Sequence, residues 1–348
     1  MLTFILGTRP EALKILPLIR EAKKRKKAFR VLATGQHSDL LLGTGVRPDV
    51  NLGIESTNNP HAYLGLLYFP LREKLHAAPQ GTVIVVQGDT ASALAAARAG
   101  TDMGIPVAHV EAGLRSHDLA DPYPEEGFRV EIDRLATYHF CPTHGNRINL
   151  LNERVIGQQG QPPALENAKV VGNTITDALR LMKVTRETPK DYVLVTLHRR
   201  ESFGEPLCNI LRGLAKFAES HPDTAILWPL HPNPKVREAL EAVPQPVNVL
   251  LRGPLPYEGF LTMLASAQAV LTDSGGVLEE ATTLGVPTVC ARKHTERPEA
   301  FSTKQNVLAG TKAESVEQAL NAVFHTTGEP STIFGDGHAS EKILDALT

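Results

Sequence analysis

The strongest constraint on the fold is the regular alternation of short apolar runs with stretches of helical periodicity. The apolar runs are rich in Val, Ile and Leu and lack alternating polar residues, which is typical of parallel strands buried on both faces. In the first half of the chain they lie at 3–6, 30–34, 83–87 and 107–111, with helical patterns between them. This spacing predicts βαβ units and therefore an α/β fold.

An interruption of the alternation predicts two domains. Gly, Gln and Pro break the pattern at 156–168, and 186–191 resembles a linker. A second series of apolar runs lies at 192–197, 224–230, 247–251, 269–272 and 287–291. We predict two doubly wound, Rossmann-like domains facing a cleft, at 1–172 and 173–334, and a last helix within 335–348 that could pack back on the first domain.

The charge balance argues against a generic polyanion-binding protein. The 348 residues include 36 Lys and Arg against 38 Asp and Glu, a formal net charge of −2. We therefore expect no nucleic acid or membrane partner, and no apolar run approaches the roughly 18–20 residues of a membrane span. Three scattered cysteines without CxxC spacing favour a reducing compartment, hence the cytoplasm. None of the 13 histidines has zinc-site spacing to Cys or Glu, so we expect no metal.

Polar clusters follow the predicted strands of the first half, where open α/β sheets bind their ligands. In the first cluster, Arg9 and Lys14 could add positive charge to a helix N-terminus that attracts anions. Asp89, Glu111 and Glu125 bring a carboxylate to each of the other three clusters. The ends of these strands are therefore the place to look for a ligand site, and Arg9 and Lys14 could bind a phosphate there.

Each of these carboxylates also has a purely structural interpretation. Asp89 could cap the helix that follows it. Glu111, at the end of a buried strand, could pair with Arg115. Glu125 could form a surface ion pair with Arg129, four residues later on the same helix face. The residues alone leave catalytic and structural roles open.

A further cluster in the second half, Thr-Asp-Ser-Gly-Gly at 272–276, runs directly into a helical pattern. A strand, a Gly-rich turn and a helix N-terminus would present backbone N–H groups to a phosphate. Glu280, one turn into the helix, could reach a pair of ribose hydroxyls. His198 and His231 end two other predicted strands, and a lone histidine there is more often structural, although the neighbouring Arg199 favours anion binding.

Ten motifs in this chain resemble one known family in their order and spacing. They are GTRPEALK, GQH, QGDT, HVEAGLRS, PYPEEGFR, VVGNTITDAL, HRRESFG, LHPNP, TDSGGVLEE and TERPEA, and they run from Gly7 to Ala300. Together they resemble the non-hydrolysing UDP-N-acetylglucosamine 2-epimerases. The resemblance implies a two-domain GT-B fold, a UDP-sugar substrate, no cofactor, no metal and a homodimer.

The resemblance also implies roles for particular residues. Asp89, Glu111 and Glu125 would match the active-site carboxylates, and Arg129 and His198 the residues beside the sugar and diphosphate. The UDP site would comprise Arg9, Lys14, Ser274, Gly275, Gly276, Glu280 and Arg297. A second UDP-N-acetylglucosamine site, which activates many members, would comprise Gln36, Arg199 and His231.

The family interconverts UDP-N-acetylglucosamine and UDP-N-acetylmannosamine by eliminating UDP to give 2-acetamidoglucal and adding it back. Two proton positions on opposite faces of C2 call for at least two acid/base groups. Three alternatives stay open: an epimerase of a related UDP-diacetamido sugar, a GT-B glycosyltransferase with a UDP-sugar donor, and a UDP-sugar sensor without turnover.

Overall fold

The chain forms two compact α/β units. The structure is a computed structural model, and it describes residues 1–35, 45–153 and 167–347. One unit comprises Met1–Leu181 together with Phe334–Thr348, and the other comprises Met182–Ile333. The helix Thr174–Leu181 belongs to the first unit, whereas the boundary expected at 172 would place it in the second.

The first unit is built on a parallel sheet. Its described strands are β1 (Leu2–Leu6), β2 (Phe29–Ala33), β3 (Val50–Asn51), β4 (Val83–Gln87), β5 (Val107–Val110), β6 (Tyr138–Cys141) and β7 (Ala168–Val170). They form a seven-stranded sheet in the order β3-β2-β1-β4-β5-β6-β7, with parallel pairings. Its first helices are α1 (Arg9–Lys24), α2 (Pro60–His76), α3 (Ala91–Asp102), α4 (Glu125–Leu135), α5 (His144–Asn152) and α6 (Thr174–Leu181).

Alternate residues of β1 point into different cores on the two faces of this sheet. Ile5 lies in a cluster with Leu67 of α2, whereas Phe4 lies in a cluster with Ile15 and Leu18 of α1. Because side chains alternate across a strand and both faces are covered, every position of β1 must be buried. All five of its residues are buried, which explains the continuous apolar run in the sequence.

The second unit repeats the same architecture. Its strands are β8 (Lys190–Thr196), β9 (Ala225–Pro229), β10 (Val249–Arg252), β11 (Ala267–Thr272), β12 (Thr288–Cys290) and β13 (Asn306–Leu308). They form a six-stranded parallel sheet in the order β10-β9-β8-β11-β12-β13. Its helices are α7 (Glu205–Ser220), α8 (Pro234–Ala242), α9 (Tyr257–Ser266), α10 (Gly275–Leu284) and α11 (Ala313–Phe324).

The last helix, α12 (Ala339–Ala346), packs against α1 and α6 in the first unit. Ile343 and Leu344 are fully buried in the core that contains Phe4. The carboxylate of Asp177 in α6 accepts hydrogen bonds from the backbone N–H groups of Ala339 (3.0 Å) and Ser340 (2.8 Å). These bonds satisfy donors that a helix N-terminus otherwise leaves unpaired.

The strand order places the polar loops together at one edge of each sheet. In the first sheet it reverses between β1 and β4, and in the second between β8 and β11. Ligands of doubly wound folds bind at such switch points, beyond the carboxyl ends of the strands. The predicted α/β fold with two parallel sheets is confirmed. Among the described residues, no helix combines the length and apolarity that a membrane crossing needs.

Candidate active site

Among the polar side chains at the strand ends of the first unit, Lys14 and Glu111 form a buried ion pair. The Lys14 ammonium donates to both carboxylate oxygens of Glu111, at 2.6 and 2.7 Å. Only 11% of the Lys14 side chain and 3% of the Glu111 side chain are exposed. Glu111 directly follows β5 and has a φ of +73°. A non-glycine residue rarely adopts this left-handed conformation, and such strained positions cluster at functional sites.

Two amide side chains also hold Glu111. Asn173 donates to one carboxylate oxygen at 2.9 Å, and Gln87 donates to the other. Sequence reasoning missed both residues. Gln87 is the last residue of β4, next to the cluster that contains Asp89, so the strand-end rule could have found it. Asn173 carried no such signal, because its proximity to Glu111 depends on how α6 docks on the sheet.

Asp89 and Arg129 form a second ion pair beside the first. The guanidinium of Arg129 donates through Nε to Oδ2 of Asp89 at 3.0 Å and also through Nη2. Another nitrogen of the same guanidinium donates to Glu126 at 3.0 Å. Arg129 and Glu126 are buried, whereas 26% of the Asp89 side chain is exposed. Arg129 therefore holds Asp89 in place, and water or a ligand can reach the carboxylate.

Glu125, the third predicted carboxylate, is the first residue of α4 and is half-buried. Its neighbour Glu126 points into the protein and accepts backbone N–H groups of Ser116 and His117 at 3.1 Å. Glu126 was not among the predicted site residues. The periodicity of α4 does not by itself show which of two adjacent glutamates faces the interior.

Arg115, the suggested partner of Glu111, has a different role. Its guanidinium pairs with Asp133 at 2.7 Å and with Glu153 at 2.8 Å. Burial tends to lower the pKa of Arg115, but the two carboxylates raise it overall. The cation that pairs with Glu111 is therefore Lys14, which lies 97 residues earlier in the chain, and not Arg115.

Glu11 connects the loop after β1 to the loop after β4. Its carboxylate accepts the backbone N–H groups of Gly7 (3.0 Å) and Thr8 (2.6 Å), and the hydroxyl of Thr90 (2.7 Å). Burial raises the pKa of this carboxyl, and the hydrogen bonds from the threonines and the backbone partly oppose that rise. Arg9, the first residue of α1, is half-buried and makes no ion pair with the described residues. Its charge is therefore available to a ligand.

In the second unit the loop between β11 and α10 brings a helix N-terminus and a cation together. Ser274 is the N-cap residue of α10, and its side chain makes no capping hydrogen bond. The guanidinium of Arg297 lies against Gly275, where a Cβ atom would come within 2.7 Å of Cζ. Its Nε donates to Glu279 at 2.7 Å, and Nη1 donates to Glu296. Two buried carboxylates thus hold Arg297 beside backbone N–H groups suited to a phosphate.

Asp273 fixes the loop that carries His198 and Arg199. Its fully buried carboxylate accepts the backbone N–H groups of His198 (3.0 and 3.1 Å) and Arg199 (2.9 Å). The imidazole of His198 stacks on that of His231, with ring centroids 5.2 Å apart. Burial lowers the pKa of both histidines, although Asp273 opposes this effect. Both imidazoles are therefore disposed to be neutral at neutral pH.

The remaining predicted residues lie on α10 or outside the described part of the chain. Glu280 on α10 is buried, and it accepts the hydroxyl of Tyr257 at 2.5 Å. Gly276 has open space where a Cβ would lie. Gln36, predicted for the activating site, lies outside the described residues. Within the described ranges no three His, Cys, Asp or Glu side chains are grouped to hold a metal ion.

Each unit has a parallel sheet with polar loops at the carboxyl ends of its strands. Two such Rossmann-like domains in one chain define the GT-B type. A family model described as UDP-N-acetylglucosamine 2-epimerase matches residues 20–348. The chain belongs to this family, and its membership confirms the resemblance seen in the motifs.

Individual relatives cover nearly the whole chain. The UDP-N-acetylglucosamine 2-epimerase of Yersinia pestis is 36% identical over an alignment of 373 positions, gaps included, which covers 99% of this chain and 97% of the relative. The crystal structure of the Neisseria meningitidis UDP-GlcNAc 2-epimerase bound to UDP-GlcNAc has a TM-score of 0.89 at 30% identity, covering 99% of both chains. The Methanocaldococcus jannaschii enzyme, in complex with UDP-GlcNAc and UDP, has a TM-score of 0.86 at 33% identity, again covering 99% of both chains.

Proposed function

We propose that this enzyme interconverts UDP-N-acetylglucosamine and UDP-N-acetylmannosamine by inverting C2 of the sugar. The observation that carries the proposal is the pair of carboxylates, Asp89 and Glu111, on the loops after two adjacent strands, β4 and β5. Each carboxylate is held by a cation, Arg129 for Asp89 and Lys14 for Glu111. Family membership and the UDP-GlcNAc bound by two relatives support the choice of substrate.

The chemistry of the substrate explains why both acid/base groups and cations are needed. The C2 proton lies next to an acetamido group rather than a carbonyl, so it is only weakly acidic. In the proposed reaction the C1–O bond to UDP breaks, the C2 proton leaves to a base, and the electron pair forms a C1–C2 double bond. UDP then adds back to C1 of the resulting 2-acetamidoglucal, and an acid protonates C2 on the opposite face.

The carboxylates alone cannot supply the whole rate enhancement. General acid–base catalysis contributes about 10²–10⁴-fold, which is roughly 3–5.5 kcal/mol. Enzymes typically lower barriers by about 8–23 kcal/mol. The rest must come mainly from stabilising the departing diphosphate and holding the intermediate. We assign that work to the N-terminus of α10 and to the cations Arg9, Lys14, Arg129 and Arg297, with the imidazole of His198 as a further hydrogen-bond donor.

Deuterium incorporation tests the proposed function directly. UDP-N-acetylglucosamine is incubated with the enzyme in D₂O, and proton NMR follows the sugar signals. We expect UDP-N-acetylmannosamine that carries deuterium at C2, because the proton removed from one face exchanges with solvent before the other face is protonated. Epimerised product that retains its original C2 proton would rule out the proposed mechanism, and absence of epimerised product would rule out the proposed activity.

The same assay separates the alternatives. A UDP-diacetamido sugar run in parallel shows whether another substrate is preferred. A glycosyltransferase would require an added lipid or peptide acceptor before it consumed the UDP-sugar, and a hydrolysing relative would release free N-acetylmannosamine. The homodimer, the cytoplasmic location and the activating site at Gln36, Arg199 and His231 stay predictions.

Replacing Gly275 by Ala should weaken UDP binding by about tenfold or more. The new Cβ would collide with the Arg297 guanidinium, which Glu279 and Glu296 hold in place, so the cation would have to leave the N-terminus of α10. A hydrogen bond to a charged group contributes about 1.5–3 kcal/mol, equivalent to a tenfold or larger change in Kd. Isothermal titration with UDP measures the change.

Gly259→Ala is the matched control for this substitution. Gly259 lies inside α9 in the same unit, and a Cβ there would meet no atom of the described residues within 4 Å. We expect unchanged UDP affinity and a stability gain of about 0.5–1 kcal/mol, because Ala favours a helix over Gly. Equal UDP affinity in Gly275→Ala and Gly259→Ala would remove Arg297 from the proposed phosphate site.

A further inference from the structure

A buried histidine, His109, connects the loops that carry Asp89 and Glu111. His109 lies on β5, and its side chain is fully buried. Its Nδ1 is 2.6 Å from Oδ1 of Asp133, and its Nε2 is 2.8 Å from the carbonyl oxygen of Gly88. Gly88 is the residue immediately before Asp89, so the imidazole contacts the backbone that presents this carboxylate.

The partners of His109 determine its protonation state. A backbone carbonyl oxygen only accepts hydrogen bonds, so Nε2 must carry a proton. Asp133 is surrounded by donors, since its other oxygen accepts the Gly113 backbone N–H (3.1 Å) and the Arg115 guanidinium (2.7 Å). Asp133 is therefore ionised and Nδ1 must also donate. Burial would raise the pKa of Asp133, but His109 and Arg115 lower it overall.

Asp133 is linked to both loops, the one that carries Asp89 and the one that carries Glu111. Through His109 it is linked to Gly88, which has a φ of +71° and whose backbone N–H donates to Val110 at 3.0 Å. Through its second oxygen it holds Gly113, two residues after Glu111. A Cβ at Gly88 would lie 3.7 Å from Oε2 of Glu111, so the two loops run close together. Displacing His109 would shift the Gly88–Asp89 peptide relative to Glu111.

We propose that His109 is a positioning residue for the epimerase reaction, acting as a buried imidazolium that Asp133 holds and that fixes the Gly88 carbonyl, and with it Asp89. This inference rests on the proposed function, because it assigns Asp89 to the chemistry. His109 is buried and does not serve as the acid or base itself. Its contribution is to keep the carboxylate where the C2 proton can reach it.

The variant His109→Gln tests this role against a matched control. Gln can donate one hydrogen bond but cannot join Asp133 and Gly88 through a charged ring. We expect kcat for epimerisation to fall about 10²-fold, because misplacing a reacting group by about 1 Å has that effect. KM for UDP-N-acetylglucosamine and Kd for UDP should stay near the wild-type values, because the hydrogen bonds of His109 go to Asp133 and Gly88 and not to the residues proposed to bind UDP.

His139→Gln is the control because His139 is the in-register neighbour of His109 on β6 and is equally buried. Its Nε2 forms a hydrogen bond with the backbone carbonyl oxygen of Asp133, at 2.7 Å, and within the described part of the chain it forms none with Gly88. We expect His139→Gln to lose stability and keep kcat. Similar kcat losses in His109→Gln and His139→Gln, or an unchanged kcat in His109→Gln, would overturn the positioning role.

A spectroscopic measurement on the wild-type protein does not depend on whether a variant folds. In ¹⁵N-histidine-labelled protein at neutral pH, we expect one imidazole with protons on both ring nitrogens, protected from solvent and absent from His109→Gln. Asp133→Asn should abolish the second ring N–H signal. A His109 ring with a single proton would overturn the inference even if the enzyme epimerises its substrate. Wild-type protein without epimerase activity but with both ring N–H signals would instead point to failure of the proposed function.

Discussion

Asp89→Asn is expected to lower kcat for epimerisation by about 10²–10⁴-fold, the usual contribution of a general acid or base. The amide keeps an oxygen that can accept from Arg129, so the local structure should persist. The substitution removes the negative charge and the ability to take a proton. Proton NMR of the sugar products gives kcat, and thermal unfolding checks that the variant folds.

Glu131→Gln is the control for the loss of a carboxylate in the same unit. Glu131 pairs with Arg98 at 2.6 Å, but 38% of its side chain and 42% of the Arg98 side chain are exposed. An exposed pair contributes at most about 1 kcal/mol, and Glu131 is not among the site residues, so kcat should not change. Full turnover by Asp89→Asn would exclude this carboxylate from proton transfer.

Lys14→Met should destabilise the enzyme by about 3–5 kcal/mol, because it leaves the buried carboxylate of Glu111 without its cation. Gln87 and Asn173 still donate to Glu111, so the lower end of that range is expected. Activity should also be lost, since the carboxylate is no longer held in the orientation that the ion pair imposes. Urea denaturation followed by circular dichroism measures the free energy of unfolding.

Lys24→Met makes the same substitution on the same helix at an exposed ion pair. Lys24 lies 3.3 Å from Glu21, and 72% of its side chain is exposed. Its replacement should change the free energy of unfolding by no more than about 0.5 kcal/mol. The double variant Lys14→Met/Glu111→Gln should regain part of the stability without regaining activity. If both lysine variants lowered the free energy of unfolding by the same small amount, the Lys14–Glu111 ion pair would not be buried as described above.

The sequence predicted the sheets well because their signal is local. Continuous Val, Ile and Leu runs follow from burial on both faces, as β1 shows, and the strand-end rule located Asp89 and Glu111 at one edge of the first sheet. The same reasoning located Ser274 at the start of α10. These features depend on residues that are close in the chain, so their pattern is visible without a structure.

Pairings between distant residues could not be predicted in this way. The position of Lys14 near a helix N-terminus suggested a phosphate contact, and it did not reveal the ion pair with Glu111, 97 residues later in the chain. Asn173 holds the same carboxylate through the docking of α6, and the buried face of α4 selects Glu126 to bind Arg129. Such contacts depend on how helices pack against the sheet, which residue types and spacing do not encode directly.

The position of α12 has a consequence for the order in which the enzyme is made. The whole of Met182–Ile333 is synthesised between the strands of the first unit and the helix that covers part of its core. Translation therefore delivers a complete second unit while Phe4 and its neighbours still lack Ile343 and Leu344. Domains usually finish folding in the order of their synthesis. Here the first unit, whose synthesis starts earlier, can complete its core only after the second unit has been synthesised.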